Sequence, residues 1–239
     1  MLPPVPAAFA RSRDGLHALA FYVISPARRV RTGHIGLQWS PGGFGTPVFD
    51  GRQIRVEGTD LVVETEQGTH RASISTLAAA GDLIGYAPNP ADKHDFDVLD
   101  MPPPYEPLGV TADAVALVDA WFGLGAAALD ELRAAETTGD STAPTLWPEH
   151  FDLAIELGDE ARVERATYGV SPGDADHPEP YAYVSAWRDV DRRDPYWNDR
   201  SFSGATIAYA DVAAATEPRA ELVEFFCHGV RALSGPPRR

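Results

Sequence analysis

The chain of 239 residues has a hydrophobic fraction of 44% and a charged fraction of 23%, which is the composition of a folded protein and excludes a disordered one. Its formal net charge of −15 at pH 7 argues against nucleic acid and membrane as partners, because both are bound mainly through lysine and arginine. No apolar run approaches the ~20 residues that span a bilayer, and the first residues do not resemble an export signal. The single Cys227 excludes an internal disulfide. We therefore expect a cytoplasmic protein.

The beginning of the chain predicts an arm followed by a helix. Leu2–Ser12 is rich in proline and predicts a loose arm. Apolar residues recur with helical spacing from Leu16, with Asp14 as a cap, until Pro26 kinks or ends the helix. The pattern changes to that of a strand after Gly33.

Several short strands follow this helix. Alternating apolar and polar residues at Ile35–Trp39 predict a half-buried strand, and the run S-P-G-G-F-G-T-P from Ser40 predicts a turn or loop. Turn residues then separate three segments that predict strands near Gln53–Glu57, Leu61–Thr65 and His70–Ile74. Ser75–Ile84 predicts a short helix capped by Ser75 or Thr76.

A proline-rich connector, residues 87–110, separates the two halves of the chain. Apolar residues after Thr111 predict a central amphipathic helix, and residues 136–144 predict a polar loop. Pro218 suits the first turn of a closing helix, and residues 234–239 predict a frayed tail. Between the two helices, strands are predicted near Phe151–Leu157, Val163–Tyr168, Tyr181–Ala186 and Ala205–Tyr209.

These elements predict an α+β fold with two antiparallel β regions, each closed by a helix, plus the central amphipathic helix. We interpret residues 1–239 as a single integrated domain. It consists of an N-terminal α/β half (14–86), the connector (87–110) and a C-terminal α/β half (111–234).

Two glycine motifs resemble functional loops but fail on their chemistry. Residues 169–173 match G-x-S-x-G, yet Pro172 lacks the N–H that an oxyanion hole needs, and Gly173 with later prolines disfavours the helix that must follow. Gly42–Gly45 lacks the spacing of a phosphate loop. We interpret the first as a strand end and the second as a turn in which Phe44 packs and contributes to a pocket wall.

The main candidate site is a set of ionisable residues in the C-terminal half. If Phe151 begins a strand, His150 and Asp152 share a face, and a hairpin would bring them to Asp174 and His177. Two imidazoles and two carboxylates suit a divalent metal ion, or acid–base catalysis without one. The spacing matches no metal motif, so these four are catalytic candidates and the cofactor is left open. The structural alternative is that the aspartates form Asx turns and His150 bonds to backbone.

Aromatic and polar side chains around this set are candidate ligand contacts. Tyr181 and Tyr183 are two positions apart, so they face the same side of a strand, where they could stack on a planar or sugar-like ligand. Ordinary core packing is the alternative use of such rings. The candidate ligand-binding residues are Trp147, Glu149, Tyr168, Ser171, Glu179, Tyr181, Tyr183 and Phe44.

Four sequence strings resemble the pattern of a family of uncharacterised actinobacterial proteins. They are I-G-L…P-G-G-F-G-T-P (35–47), L-W-P-E-H-F-D-L-A (146–154), Y-G-V-S-P-G-D (168–174) and H-P-E-P-Y-A-Y-V (177–184). The resemblance covers most of the chain and implies no activity and no catalytic residue. It implies that the two loops rich in glycine and proline belong to one module, which favours a single domain.

We therefore expect a small-molecule pocket walled by the Trp147–Asp152 segment, the Ser171–Tyr183 segment and the Gly42–Thr46 loop. The widest enzyme class that fits is a hydrolase or lyase that uses histidine and aspartate. The alternative is a non-catalytic protein-interaction module that binds through aromatic loops. The oligomeric state does not follow from the sequence.

Overall fold

The computed structural model describes residues 2–93, 100–136, 140–162 and 164–234. The chain forms two compact units. The N-terminal unit comprises residues 2–123 and 146–152, and the C-terminal unit comprises the described residues of 124–145 and 153–239. The segment 146–152 therefore belongs to the N-terminal unit, although the sequence analysis placed it in the C-terminal half of the chain. That both units form one integrated domain stays a prediction.

Each unit contains an antiparallel sheet together with helices, which confirms the α+β class. In the N-terminal unit the sheet order follows the chain, β1-β2-β3-β4-β5. These strands are Gln38–Ser40 (β1), Gly43–Gly45 (β2), Arg52–Glu57 (β3), Asp60–Thr65 (β4) and Gly68–Ser73 (β5). The last three confirm the predicted strands, because the turns at Gly58 and Gly68 lie where the sequence put them.

The N-terminal helix is longer than predicted. Helix α1 (Phe9–Leu19) continues through a π-helical segment (Ala20–Ile24) into α2 (Ser25–Thr32), so the predictions of a loose arm up to Ser12 and of a cap at Asp14 were wrong. Ser12 is buried and its hydroxyl donates to the Gly109 carbonyl at 2.7 Å, which holds the start of the helix in place. Pro26 does not end the helix, because it occupies the first turn of α2 directly after the wide π turns.

The glycine run is part turn and part strand. Gly42 adopts a φ of +90°, as the predicted turn requires, but Gly43–Gly45 forms β2 and not a loop. A Cβ on Gly45 would lie 2.3 Å from the Ile54 carbonyl oxygen, so only glycine lets β2 approach β3 this closely. Helix α3 (Leu77–Ile84) follows the sheet, and Thr76 caps it by accepting the Ala79 N–H at 3.1 Å.

The connector contains a 3-10 turn at Pro90–Lys93, and its residues 94–99 lie outside the described residues. Helix α4 (Ala112–Ala135) confirms the predicted central helix. Among the described helices it alone is long and apolar enough to cross a membrane, with a mean hydropathy of 1.5, which the sequence reading did not anticipate. Half of that apolar stretch is buried inside the protein, as in the core helix of a folded domain.

The second sheet has the order β11-β10-β9-β8-β6. Its strand β9 runs from Ala166 to Ser171, three residues later than predicted, and the predicted start at Val163 lies outside the described residues. Residues 137–139 of the predicted polar loop also lie outside the described residues. Two short strands, β6 and β7, were not predicted. The strands are Asp140–Ser141 (β6), Thr145–Trp147 (β7), Asp152–Gly158 (β8), Ala166–Ser171 (β9), Tyr181–Ala186 (β10) and Gly204–Ala208 (β11).

Two helices end the chain. Tyr209 was predicted to end the last strand, but it begins α5 (Tyr209–Ala214) instead. Helix α6 (Pro218–Leu233) confirms the closing helix, and residues 235–239 of the predicted tail lie outside the described residues. Its side chain Phe226 is buried against Tyr168 of β9, with ring centroids 6.1 Å apart, so α6 covers one face of the second sheet.

Candidate functional site

The turn before β8 does not have the geometry that the sequence predicts. Phe151 is not the first residue of a strand but adopts a φ of +51°, which is rare for a bulky side chain and costs about 1–3 kcal/mol of strain. Because this residue interrupts the alternation, His150 is exposed whereas Asp152, where β8 begins, is buried. The inference that His150 and Asp152 share one strand face was therefore wrong.

Ring packing explains why this strained conformation is retained. The Phe151 side chain is 1% exposed and lies among three other rings of the N-terminal unit. It stacks on His17 with centroids 5.4 Å apart, and it meets Phe44 and Phe122 edge-on at 5.1 and 5.6 Å. Phe44 is thus a core residue, as the packing interpretation of the glycine loop predicts, and it does not offer a surface to a ligand.

His17 is a buried titratable residue that the sequence analysis did not single out. Burial lowers its pKa to about 4, although the backbone carbonyls of Pro148 and Glu149 and the charge of Asp14 act in the opposite direction. Its Nε2 is buried without a hydrogen-bond partner among the described residues. Burial likewise raises the pKa of the Glu149 carboxyl, whose Oε2 is also buried and unpaired. The sequence signal was weak, because His17 lies on an otherwise ordinary amphipathic helix.

The loop between β9 and β10 is organised around Asp174. Its Oδ1 accepts the backbone N–H groups of Asp176 and His177 at 2.8 and 2.7 Å, which is the predicted Asx turn. Its Oδ2 accepts the Tyr181 hydroxyl at 2.6 Å. Ser171 is buried at the end of β9 and no helix follows it in the loop 172–180, so it is not the nucleophile of a serine hydrolase.

His177 lies between two carboxylates, one of which the sequence reading did not identify. Its Nε2 is 2.8 Å from Oδ2 of Asp199, and because a carboxylate only accepts hydrogen bonds, Nε2–H is the donor. Its Nδ1 lies 3.5 Å from Oδ1 of Asp174, too far for a good hydrogen bond. Asp199 follows His177 by 22 residues, so no local pattern links the two.

The Asp199 carboxylate is held as a buried anion. Its side chain is 4% exposed, and burial alone would raise its pKa. Hydrogen bonds from the Ser201 hydroxyl at 2.6 Å, from the Ser201 N–H at 2.8 Å and from His177 outweigh this effect, and the pKa of Asp199 is lowered. The carboxylate therefore ties His177 to the chain that precedes β11.

A row of aromatic rings extends from His177 along one face of the second sheet. His177 lies 4.4 Å from Tyr181, Tyr181 lies 6.0 Å from Tyr183, and Tyr183 meets Phe202 edge-on at 6.2 Å. The predicted placement of both tyrosines on one side of β10 is confirmed, because Ala182 and Val184 between and beyond them are buried. We call His177, Tyr181, Tyr183 and Phe202 the ring surface.

A glycine on the neighbouring strand makes room for the ring surface. Gly169 of β9 pairs with Tyr183 of β10, and a Cβ on Gly169 would lie 2.7 Å from two ring carbons and from the hydroxyl oxygen of the tyrosine. The ring therefore covers the glycine backbone directly, an arrangement that protects a glycine within a sheet.

The remaining candidate ligand contacts fall in different environments. Tyr168 is 1% exposed and burial raises its pKa, so it belongs to the core. Trp147 is half-buried in β7, and Glu179 is exposed in the loop before β10. His150 and Asp152 belong to the N-terminal unit, whereas Asp174 and His177 belong to the C-terminal unit. That these four residues face a shared pocket stays a prediction.

In the described part of the chain, no three histidine, cysteine, aspartate or glutamate side chains converge to hold a metal ion. The geometry of the described residues therefore adds no support for the divalent metal ion that the sequence analysis left open. Comparison of the chain with family models, with curated proteins and with solved structures finds no significant match. The site must be interpreted from its own chemistry, and the resemblance to the actinobacterial family stays a prediction.

Proposed function

We propose that the protein is a cytoplasmic protein that binds a small polar molecule on the ring surface of its C-terminal unit. The observation that carries the proposal is that a partly exposed imidazole, His177, is held between Asp174 and the buried Asp199 at one end of a row of rings. Rings offer an apolar face to a planar or sugar-like ligand, and Oδ2 of Asp174, which accepts one hydrogen bond from Tyr181, offers a further acceptor position to its polar groups. The side chain of Asp174 is 41% exposed and so can be reached from solvent.

The chemistry that such a site supplies is proton transfer. Nε2 of His177 is engaged by Asp199, and Nδ1 is buried without a hydrogen-bond partner among the described residues, 3.5 Å from Oδ1 of the partly exposed Asp174, so a proton would pass between His177 and a ligand through that carboxylate. Asp199 has the role of holding the imidazole orientation, as the third group of a catalytic triad does. If the bound molecule is turned over, we propose hydrolysis or elimination with Asp174 and His177 as the acid–base groups.

The alternative function, a protein-interaction module, lacks a comparable observation. Among the described residues only four large apolar side chains are exposed. They lie in different segments, and binding patches usually require contiguous apolar area of several hundred Å². These side chains are Val30, Val48, Tyr105 and Trp187.

The proposal is tested by saturation-transfer NMR with a library of small polar aromatic and sugar-like fragments. Compounds that bind the wild-type protein are retested on Tyr183→Leu, which removes a ring from the ring surface, and on His177→Gln, which removes the imidazole. We expect both variants to lose binding of the same compounds. Tyr105→Leu is the matched control, because Tyr105 is 83% exposed and belongs to the N-terminal unit.

Two outcomes would contradict the proposal. One is that no fragment binds the folded wild-type protein at millimolar concentration. The other is that the bound fragments are retained equally by Tyr183→Leu, His177→Gln and Tyr105→Leu. Because His177 also ties two loops together, circular dichroism must show that both site variants remain folded before their binding is compared.

A further inference from the structure

The C-terminal unit contains a second cleft, which is separate from the ring surface. It has a volume of about 430 Å³ and lies along the outer edge of β11, between that strand, α6 and the chain before β11. Its apolar walls include the rings of Tyr196 and Phe225 and the side chain of Ile207, all half-buried. Its polar lining includes Asn198, Thr206 and Asp211.

Most polar groups of this cleft already have partners. The Asn198 amide pairs with the backbone of Thr206, donating to its carbonyl at 2.9 Å and accepting its N–H at 2.8 Å. The Tyr196 hydroxyl donates to the Phe225 carbonyl at 2.9 Å. A ligand in this cleft therefore gains little by hydrogen bonding to these groups.

Asp211 is different from these groups. Its carboxylate has no ion pair and no side-chain hydrogen bond within the described residues, and it is exposed in the first turn of α5. In a chain with a formal charge of −15, the residues that line the cleft thus include one unpaired carboxylate and two aromatic rings. A carboxylate attracts organic cations, and an aromatic ring attracts them at a free face by cation–π interaction. One face of Tyr196 is already stacked on His228, with ring centroids 4.2 Å apart, so Asp211 supplies the main attraction for the charge.

From this geometry we infer that the cleft binds a small organic ammonium ion with an aromatic body, the ammonium group at Asp211 and the apolar part against Tyr196, Phe225 and Ile207. The negative charge excludes carboxylates and phosphates from the same position. This inference does not depend on the function proposed for the ring surface, because the two use different side chains.

The test uses phenethylamine as the probe and phenethyl alcohol as its neutral counterpart, with binding followed by 1H–15N NMR titration. We expect phenethylamine to bind saturably with a millimolar or tighter dissociation constant, and to bind about fivefold more tightly than the alcohol, as one exposed charge pair allows. Chemical shifts should change at Tyr196, Ile207 and Phe225. Higher ionic strength should reduce the difference between the two probes.

Asp211→Asn should abolish the preference for the amine. Its matched control is Asp113→Asn, which removes an exposed acidic residue from the first turn of α4 in the same way. The control should keep the preference, and so should His177→Gln. Equal binding of the two probes by the wild-type protein, or an unchanged preference in Asp211→Asn, would overturn the inference. Either result leaves the ring surface proposal untouched.

Discussion

Protonation of His17 should destabilise the protein as the pH falls. Burial lowers the pKa of this imidazole from 6.5 to about 4 in the folded protein, so the unfolded chain binds a proton at a higher pH than the folded chain does. The free energy of unfolding therefore falls as the pH drops through the interval between about 6.5 and 4, and the full stability is present above it.

The magnitude follows from the size of the pKa shift. A change of one pKa unit corresponds to about 1.4 kcal/mol, so a shift of this size removes about 3 kcal/mol once the pH is well below 4. At pH 5 the loss relative to neutral pH is about 2 kcal/mol. A loss of about 2 kcal/mol is large compared with the total stability of a typical domain, which is about 5–15 kcal/mol.

The assay is urea unfolding followed by tryptophan fluorescence at pH values from 7.5 to 5, for the wild-type protein and for His17→Gln. Carboxylates also titrate at the low end of this range, so the informative quantity is the difference between the two pH profiles. We expect His17→Gln to be less stable at pH 7.5, because it loses the stacking on Phe151, but to have the shallower slope. His34→Gln, which removes an exposed imidazole, is the control. Parallel profiles for wild type and His17→Gln would refute the reasoning.

Three further substitutions test individual contacts. Gly169→Ala should lower the free energy of unfolding by about 1–3 kcal/mol in thermal or urea unfolding, because its Cβ would clash with the Tyr183 ring, and an unchanged stability would show that the ring moves freely. Thr76→Ala should cost about 1 kcal/mol by removing the cap of α3, whereas Ser75→Ala should not, and the same urea titration compares them. Asn198→Ala should expose the Thr206 N–H and carbonyl at the edge of β11 and so promote self-association, because unpaired backbone groups at a sheet edge pair with other chains. Light scattering measures this, and a molecular mass that stays unchanged across concentrations would contradict a protective role for Asn198.

The elements that were predicted correctly are those whose signals are local. Clear turn residues separate the strands β3, β4 and β5, α4 carries a continuous apolar stripe, and α6 begins at Pro218. Where two sequence signals indicated different structures, the prediction from the stronger local signal was wrong. Pro26 was expected to kink or end the first helix, yet the helix continues through π turns into α2. The glycines at 43 and 45 form a strand because close backbone approach requires them.

The candidate site was predicted in part. Asp174, His177, Tyr181 and Tyr183 do lie together, because a short loop and one strand connect them. Asp199 was missed, since its contact with His177 spans 22 residues. His17, which lies outside the ring surface, was not singled out either, because its neighbours Pro148 and Glu149 lie far along the chain.

Charge, periodicity and turn residues act over a few positions, and so the amino-acid sequence alone was sufficient for the α+β class, most helices and strands, and the side of β10 that carries the tyrosines. Burial, ring stacking and ion pairing act between segments that are distant in the chain. Only the folded structure could therefore show that Phe151 adopts a left-handed conformation, that burial lowers the pKa of His17, and that Asp199 is the partner of His177.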